Sequence, residues 1–331
     1  MTQDAQRRIW LLTQGAVGLQ NQAIGLAEHI GWPYELKRVN LTKPWRWLPG
    51  HWVPRAHTRL TRDSDHLTAP WPDLVISCGR LGAAAALSVK RASGGRVFSV
   101  HIQNPQLPHH LVDLILPPRH DALSGPNVIP TRGALHHVTR EKMDMAVAEQ
   151  MMSHPDLATI RGQGPIIGVL IGGSNATATL TPEKSRQLIS ALIEAAAEQR
   201  AQLWITASRR TGTANIQAMQ SVLATTDHWF WDNEGPNPYM AILGSADYLV
   251  VTGDSVSMVS EAASTGKPVY TLDFDGYSGR LNLFHQALRE EGVTRSFNGK
   301  LESWTYPVIN DTPEVASIVR AQFEAKRGKN C

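Results

Sequence analysis

The stretch DYLVVTGDSVSMVSEAASTGKPVY, residues 247–270, sets small hydroxyl side chains around two carboxylates, Asp254 and Glu261. An apolar run ending near Val251 predicts a strand. The residues after it predict a helix that starts almost at once, with Asp254 or Ser255 as its N-cap. At helical spacing Val256, Val259 and Ala263 share one face, while Ser257, Glu261 and Ser264 share another. The free amides and dipole of a helix start favour an anion by ~0.3–1 kcal/mol. A phosphate held near Ser255, Val256 and Ser257 would leave Glu261, one turn deeper, to accept hydrogen bonds from sugar hydroxyls. The competing reading is an amphipathic helix whose polar face is only solvated. Asp254 favours that reading, since a carboxylate repels a phosphate unless it is turned inward as a cap.

Three further clusters suit related chemistry. Ser208, Arg209 and Arg210 follow the apolar run QLWITA, where a guanidinium could clamp a diphosphate and stabilise its departure without a metal. Ordinary exposed arginines are the alternative. His101, in SVHIQNP, is the candidate general base, because an ordinary pKa of about 6.5 suits proton transfer; the alternative is a buried, hydrogen-bonded structural histidine. TQGAVG spaces Gly15 and Gly18 as GxxG, short of the GxGxxG of a dinucleotide site, so NAD is not expected and the two glycines stand as candidate ligand-binding residues. Arg119, His120 and Asp121 form one more cluster, with a solvated turn as the alternative.

These residues need elements to position them. Short β-branched apolar runs alternate with helical patterns: residues 8–14, a helix over 19–30, then YELKRVN, DLVISCGR, RVFSVHIQN and VDLILPP. This is the rhythm of βαβ units on a parallel sheet. After a helix near 139–152 and RGQGP, read as a linker, the rhythm restarts with IIGVLIGG, QLWITAS, HWFWD, DYLVVTG and PVYTLDF. Thr181 and Pro182 predict a capped helix start before the apolar stripe of Leu188, Ile189, Leu192, Ile193 and Ala196. The expected fold is α/β: two Rossmann-like domains, residues 1–160 and 161–331, with the last helix, near 313–327, packing back on the first. Open sheets of this kind bind ligands beyond the carboxyl ends of their strands. Most of the residues singled out above fall there.

Composition narrows the class. A chain of 331 residues that is 42% hydrophobic and 18% charged folds, and its length favours two domains. A net charge of +3 is too weak to imply nucleic acid. Cys78 and Cys331 lie far apart in no metal-ligand spacing, which argues against a disulfide scaffold or structural zinc and for a reducing compartment. No stretch approaches the ~20 apolar residues needed to cross a bilayer, so a cytoplasmic location is expected. The charge is uneven, however. Lys37 to Arg62 holds seven cations and Trp45, Trp47 and Trp52 with no carboxylate, which suits peripheral membrane contact or a lipid-linked acceptor. An ordinary exposed excursion is the alternative, and RNA is weaker still, since no RNA-binding module accompanies the patch.

GDSVSMVSEAASTGKPV resembles the nucleotide-sugar signature of GT-B glycosyltransferases and the related sugar-nucleotide 2-epimerases. The resemblance implies diphosphate contacts at Ser255 to Ser257 and a ribose contact at Glu261. IGGSNAT is similar to the glycine loop opening the donor domain of bacterial glycolipid glycosyltransferases, implying phosphate contacts at Gly172, Gly173 and Ser174. The next predicted helix starts only near Pro182, so backbone amides would do the binding. Over nearly the whole chain, WLLTQGAVGLQNQAIGLAE, DLVISCGR, HIQNP, PPRHD, IGGSNA, ITASRRT, DSVSMVSEAASTGKPVY and INDT resemble the bacterial relatives of the plant "elongated mitochondria" fission-protein family, often labelled nucleoside-diphosphate-sugar epimerases.

That resemblance implies a GT-B-type arrangement with an interdomain cleft, a nucleoside-diphosphate sugar as donor substrate, and no separate cofactor or metal. The plant member is described as recruiting a dynamin-related protein to the mitochondrial surface. Related glycosyltransferases often carry a His in the first loop, where this chain has Leu19, Gln20, Asn21 and Gln22. Neutral amides cannot act as a base near pH 7. The expected function is metal-independent glycosyl transfer; the alternatives are a non-catalytic, membrane-associated recruiting scaffold and, third, a sugar-nucleotide epimerase.

Overall fold

The computed structural model describes residues 7–174, 179–231, 234–273 and 279–328. The chain forms two compact units: unit 1 runs through His137 and resumes at Asn310, and unit 2 is Val138–Ile309.

Unit 1 is built on β1 (Ile9–Thr13), α1 (Val17–Ile30), β2 (Tyr34–Arg38), β3 (Leu74–Cys78), α2 (Arg80–Ala92), β4 (Phe98–Ile102) and β5 (Leu114–Leu116). The strands form one parallel sheet in the order β2-β1-β3-β4-β5. All five residues of β1 are buried because both faces are covered. Ile9 and Leu11 point into one core with Leu26 and Ile30 of α1, while Trp10 and Leu12 join Val89 of α2 on the other face. Gly25 lets α1 approach the backbone of His136, for an added Cβ would lie 2.3 Å from that carbonyl. The C-terminal helix, Thr312–Gly328, packs on α1, placing Val315, Val319 and Phe323 in the first core, with Phe323 edge-on to Trp32 at 4.9 Å.

Unit 2 contains α3 (Arg140–Ser153), α4 (Pro155–Arg161), β6 (Ile166–Ile171), α5 (Pro182–Gln199), β7 (Gln202–Ala207), α6 (Thr213–Leu223), β8 (Trp229–Phe230), α7 (Tyr239–Ser245), β9 (Tyr248–Thr252), α8 (Val256–Ala263), β10 (Val269–Leu272), α9 (Gly279–Glu290) and β11 (Thr294–Ser296), so the C-terminal helix of unit 1 is α10. Its sheet is parallel in the order β11-β10-β9-β6-β7-β8. The capped start of α5 is as the sequence predicts: Thr181 Oγ1 accepts from Lys184 N–H at 3.2 Å, with Pro182 at the first helical position.

Two expectations about the division of the chain need correction. Unit 2 begins at Val138, not 161, because Val138, Met143 and Leu157 are buried in the same core as Leu170, Ile242 and Val259. RGQGP is no linker. Gly164 sits so close to the end of α5 that a Cβ would lie 2.5 Å from the Arg200 carbonyl, and Pro165 accepts from Gln202 N–H as β6 and β7 begin to pair.

Each sheet has one point where successive connections leave in opposite directions. In unit 2 it lies between β6 and β9: α5 packs on one face of the sheet and α8 on the other. In unit 1 it lies between β1 and β3, with α1 and α2 on opposite faces. Such a point opens a crevice at the carboxyl ends of the strands.

Candidate functional site

At the unit 2 switch point the ends of β6, β7 and β9 are tied together by Asp254. Its side chain is fully buried and accepts from Gly173 N–H at 3.1 Å, the Thr252 hydroxyl at 2.7 Å and Arg210 Nη2 at 2.8 Å. Thr252 Oγ1 in turn accepts from Gly172 N–H at 2.6 Å, and the Thr211 hydroxyl donates to the Gly172 carbonyl. The carboxylate is therefore turned inward and spent on internal donors, which removes the repulsion a phosphate would otherwise meet. The two glycines are sterically required. A Cβ on Gly172 would lie 2.1 Å from Asp254 Oδ1, and one on Gly173 would lie 2.1 Å from the Arg210 carbonyl.

Ser255, not Asp254, caps α8, its Oγ accepting from Met258 N–H at 3.4 Å. The amides of Val256 and Ser257 have no acceptor among the described residues. Helix starts leave such donors open, and they attract anions. His285, from α9, donates Nε2–H to the Gly253 carbonyl at 2.7 Å and fixes the turn between β9 and α8 from behind. Ser208 follows β7 and accepts at Oγ from Arg210 N–H at 3.2 Å. Arg209 is exposed and makes no ion pair or hydrogen bond among the described residues, whereas Arg210, half exposed, is held by Asp254. Ser174 is engaged with Leu180, whose N–H it accepts at 3.0 Å, and residues 175–178 of the IGGSNAT loop lie outside the described residues.

Glu261 is 4% exposed and accepts from the Tyr239 hydroxyl. Burial pushes its carboxyl up to about 7, against the downward pull of that hydrogen bond. Burial also raises Tyr239, and the neighbouring Glu261 adds to it. The Tyr239 end of α7 is thus fastened to α8. Its other end is capped by Lys267, whose Nζ donates to the Leu243 and Gly244 carbonyls at 2.6 and 2.8 Å. Burial lowers that ammonium to about 8.

The unit 1 switch point is simpler. Gly15, at φ +92°, lies between β1 and α1, while Gly18 is already in the first turn of α1, where its carbonyl accepts from Gln22 Nε2 at 3.2 Å. Gln14 Oε1 accepts from Leu81 N–H at 3.4 Å near the start of α2. His101 does not serve as the expected base. It is 1% exposed within β4, its Nδ1 pairs with Ser77 Oγ at 2.8 Å, and its Nε2 has no partner among the described residues. Burial drives its pKa down to about 3, so the ring is neutral and closed off. Arg119 to Asp121 form one short helical turn, and Arg119 lines a cavity of ≈ 370 Å³ with Arg132 and Asp311, which are paired at 2.8 Å.

Sequence reasoning missed Thr252, Thr211, Tyr239, Lys267 and His285. Only Thr252 carried a local signal, as a hydroxyl at a strand end two residues before a carboxylate. Thr211 and Lys267 lie within stretches already singled out but find their partners on other elements, and Tyr239 and His285 arrive from α7 and α9.

Two parallel α/β sheets, each with a switch point in its strand order, define the paired Rossmann-like units of the GT-B fold. The chain superposes on UDP-GlcNAc 2-epimerase of Methanocaldococcus jannaschii with a TM-score of 0.52 at 11% identity, covering 95% of this chain and 99% of the other. It superposes on the glycosyltransferase SnogD of Streptomyces nogalater with a TM-score of 0.51 at 14% identity, covering 96% and 95%. These likenesses show the fold. The chain belongs to the mitochondrial fission ELM1 family, whose profile matches residues 17–323. It is 32% identical over 282 residues to mitochondrial fission protein ELM1 of Arabidopsis thaliana, an alignment covering 77% of this chain and 65% of the plant protein's length. Among the described residues no helix is long and apolar enough to cross a membrane, and no three His, Cys, Asp or Glu side chains cluster in a way that could hold a metal ion.

Proposed function

We propose that the chain binds a nucleoside-diphosphate sugar at the unit 2 switch point and transfers its glycosyl group without a metal to a lipid-linked acceptor at the cytoplasmic face of a membrane. The observation that carries this reading is the pair of open amides at Val256 and Ser257, beside a carboxylate already satisfied from within. The diphosphate would take those amides and the Arg209 guanidinium, with Gly172, Gly173, Ser174 and Ser208 shaping the loops around it. Arg209, with Arg210 beside it, would stabilise the charge that develops on the leaving diphosphate. Glu261 would accept from ribose hydroxyls, a role its burial and hydrogen bond to Tyr239 preorganise. Fold likeness to proteins that bind UDP-GlcNAc supports the ligand class.

One observation favours binding without transfer, as in a recruiting scaffold. The candidate base, His101, is buried in the core of unit 1. Epimerisation ranks third, since it needs several acid and base groups around the sugar, and of the two carboxylates Asp254 is engaged internally and Glu261 is assigned to ribose.

Calorimetry and thermal shift against uridine, guanosine and cytidine diphosphates test the reading, because a ligand of the native state raises its apparent stability. Binding of one of them, weakened at least tenfold by Glu261→Ala, is the expected result. Silence with all three sinks the nucleotide site. Binding with no glycosyl transfer or hydrolysis of the sugar nucleotide selects the scaffold.

A further inference from the structure

Residues 43–59 make a firm shelf on α2. Three short helical turns, Trp45–Trp47, Gly50–Trp52 and Ala56–Thr58, follow one another. Gly50 is buried so closely that a Cβ would lie 2.9 Å from Ala84 Cβ, and Leu41, Val53 and Ala56 share a small core with Leu81 and Ala84. Two arginines of α2 hold the outer rim: Arg80 donates to the Leu48 carbonyl at 3.1 Å and to that of Arg46, and Arg91 to the His51 carbonyl at 3.5 Å. Because their acceptors are neutral carbonyls, both charges remain uncompensated. Lys43, Arg46, Arg55, Arg59, Arg80 and Arg91 make no ion pair with any described residue.

Out of this shelf stand Trp47 and Trp52, 65% and 66% exposed, in a protein that buries Trp10, Trp32 and Trp204. We infer that the shelf is a docking face for an anionic lipid bilayer, with Trp47 and Trp52 seated at headgroup depth and the six cations over lipid phosphates. Indole rings partition to that depth, and basic side chains are drawn to anionic headgroups. A nucleic acid would answer to the same charges but needs open ring faces for stacking. Lys43 and Arg59 already lie over the Trp47 and Trp45 rings at 5.5 and 5.0 Å. The inference is independent of the nucleotide reading.

Flotation of the full chain with vesicles of phosphatidylcholine, with and without phosphatidylglycerol, tests it. The chain is expected to float only with the anionic vesicles. Arg46→Gln with Arg55→Gln should weaken binding about 25-fold, at about fivefold per cation. Trp47→Ser with Trp52→Ser should weaken it at least tenfold and diminish the blue shift of tryptophan emission on adding vesicles. Circular dichroism melts check that each variant folds, and the exposed arginine pair stands as the test if the tryptophan pair does not. Absence of flotation, flotation unchanged in the folded variants, or binding of single-stranded RNA in place of vesicles overturns the proposal.

Discussion

Arg210 and Asp254 meet at 2.8 Å across the carboxyl ends of β7 and β9, the arginine half exposed and the carboxylate wholly buried. Removing the two partners is therefore unequal. Asp254→Ala strips the acceptor from Gly173 N–H and Thr252, as well as from Arg210, and should cost about 1.5–3 kcal/mol, the range for hydrogen bonds to a charged group. Arg210→Ala leaves a carboxylate with two donors and should cost about 1 kcal/mol or less. Urea midpoints of the full chain compare them, and equal losses would show that Arg210 is a structural partner of the same rank.

Gly172→Ala places a methyl where Asp254 Oδ1 now lies, 2.1 Å away. The carboxylate must move, and overpacking of this kind costs about 1–3 kcal/mol. Nucleotide affinity should fall with the melting temperature, because the loop after β6 and the turn before α8 are displaced together. A variant that melts lower yet binds normally would uncouple the two.

The Glu261 carboxyl gives stability a definite pH slope. The unfolded side chain loses its proton near 4.5 and the folded one near 7, so in that window the native state holds more protons. Its contribution is fully present below 4.5 and is lost as pH rises through 7, on the order of 3 kcal/mol in all. Glu261→Gln keeps an oxygen for the Tyr239 hydroxyl and should flatten the slope, leaving the variant at least as stable as the parent at alkaline pH. Denaturation midpoints across the window measure it.

His101 acts in the opposite direction. The unfolded ring takes a proton near 6.5 and the folded ring only near 3, so stability falls as pH drops through that range, by about 1.4 kcal/mol per unit. Its ring resonances in an NMR titration should stay fixed between neutrality and mild acid. A midpoint near 6.5 would return it to the list of candidate bases.

The sheets were readable because buried parallel strands are continuous apolar runs, as in residues 9–13 and 166–171, and because turn chemistry at Thr181 and Ser255 is local. What stayed hidden was non-local. Nothing within REKMDMAVAEQMMS says which core its buried Met143 will join, so chain order groups the helix with the opening domain while its packing belongs to unit 2. The role of Lys267 depends on where α7 ends, and the engagement of Asp254 depends on β6 and β7 arriving beside it. Burial of His101 follows from strands and helices on both sides of it, which no window around HIQNP contains.

Unit 1 recruits Val315, Val319 and Phe323 from beyond residue 309, so its interior stays incomplete until the chain has left the ribosome past residue 323. Unit 2 is contiguous and has everything it needs earlier, although it is translated second. Synthesis should therefore finish the inserted half first, while the opening half waits for its final helix. A premature stop that spares every strand of both sheets would still strand that half unfinished.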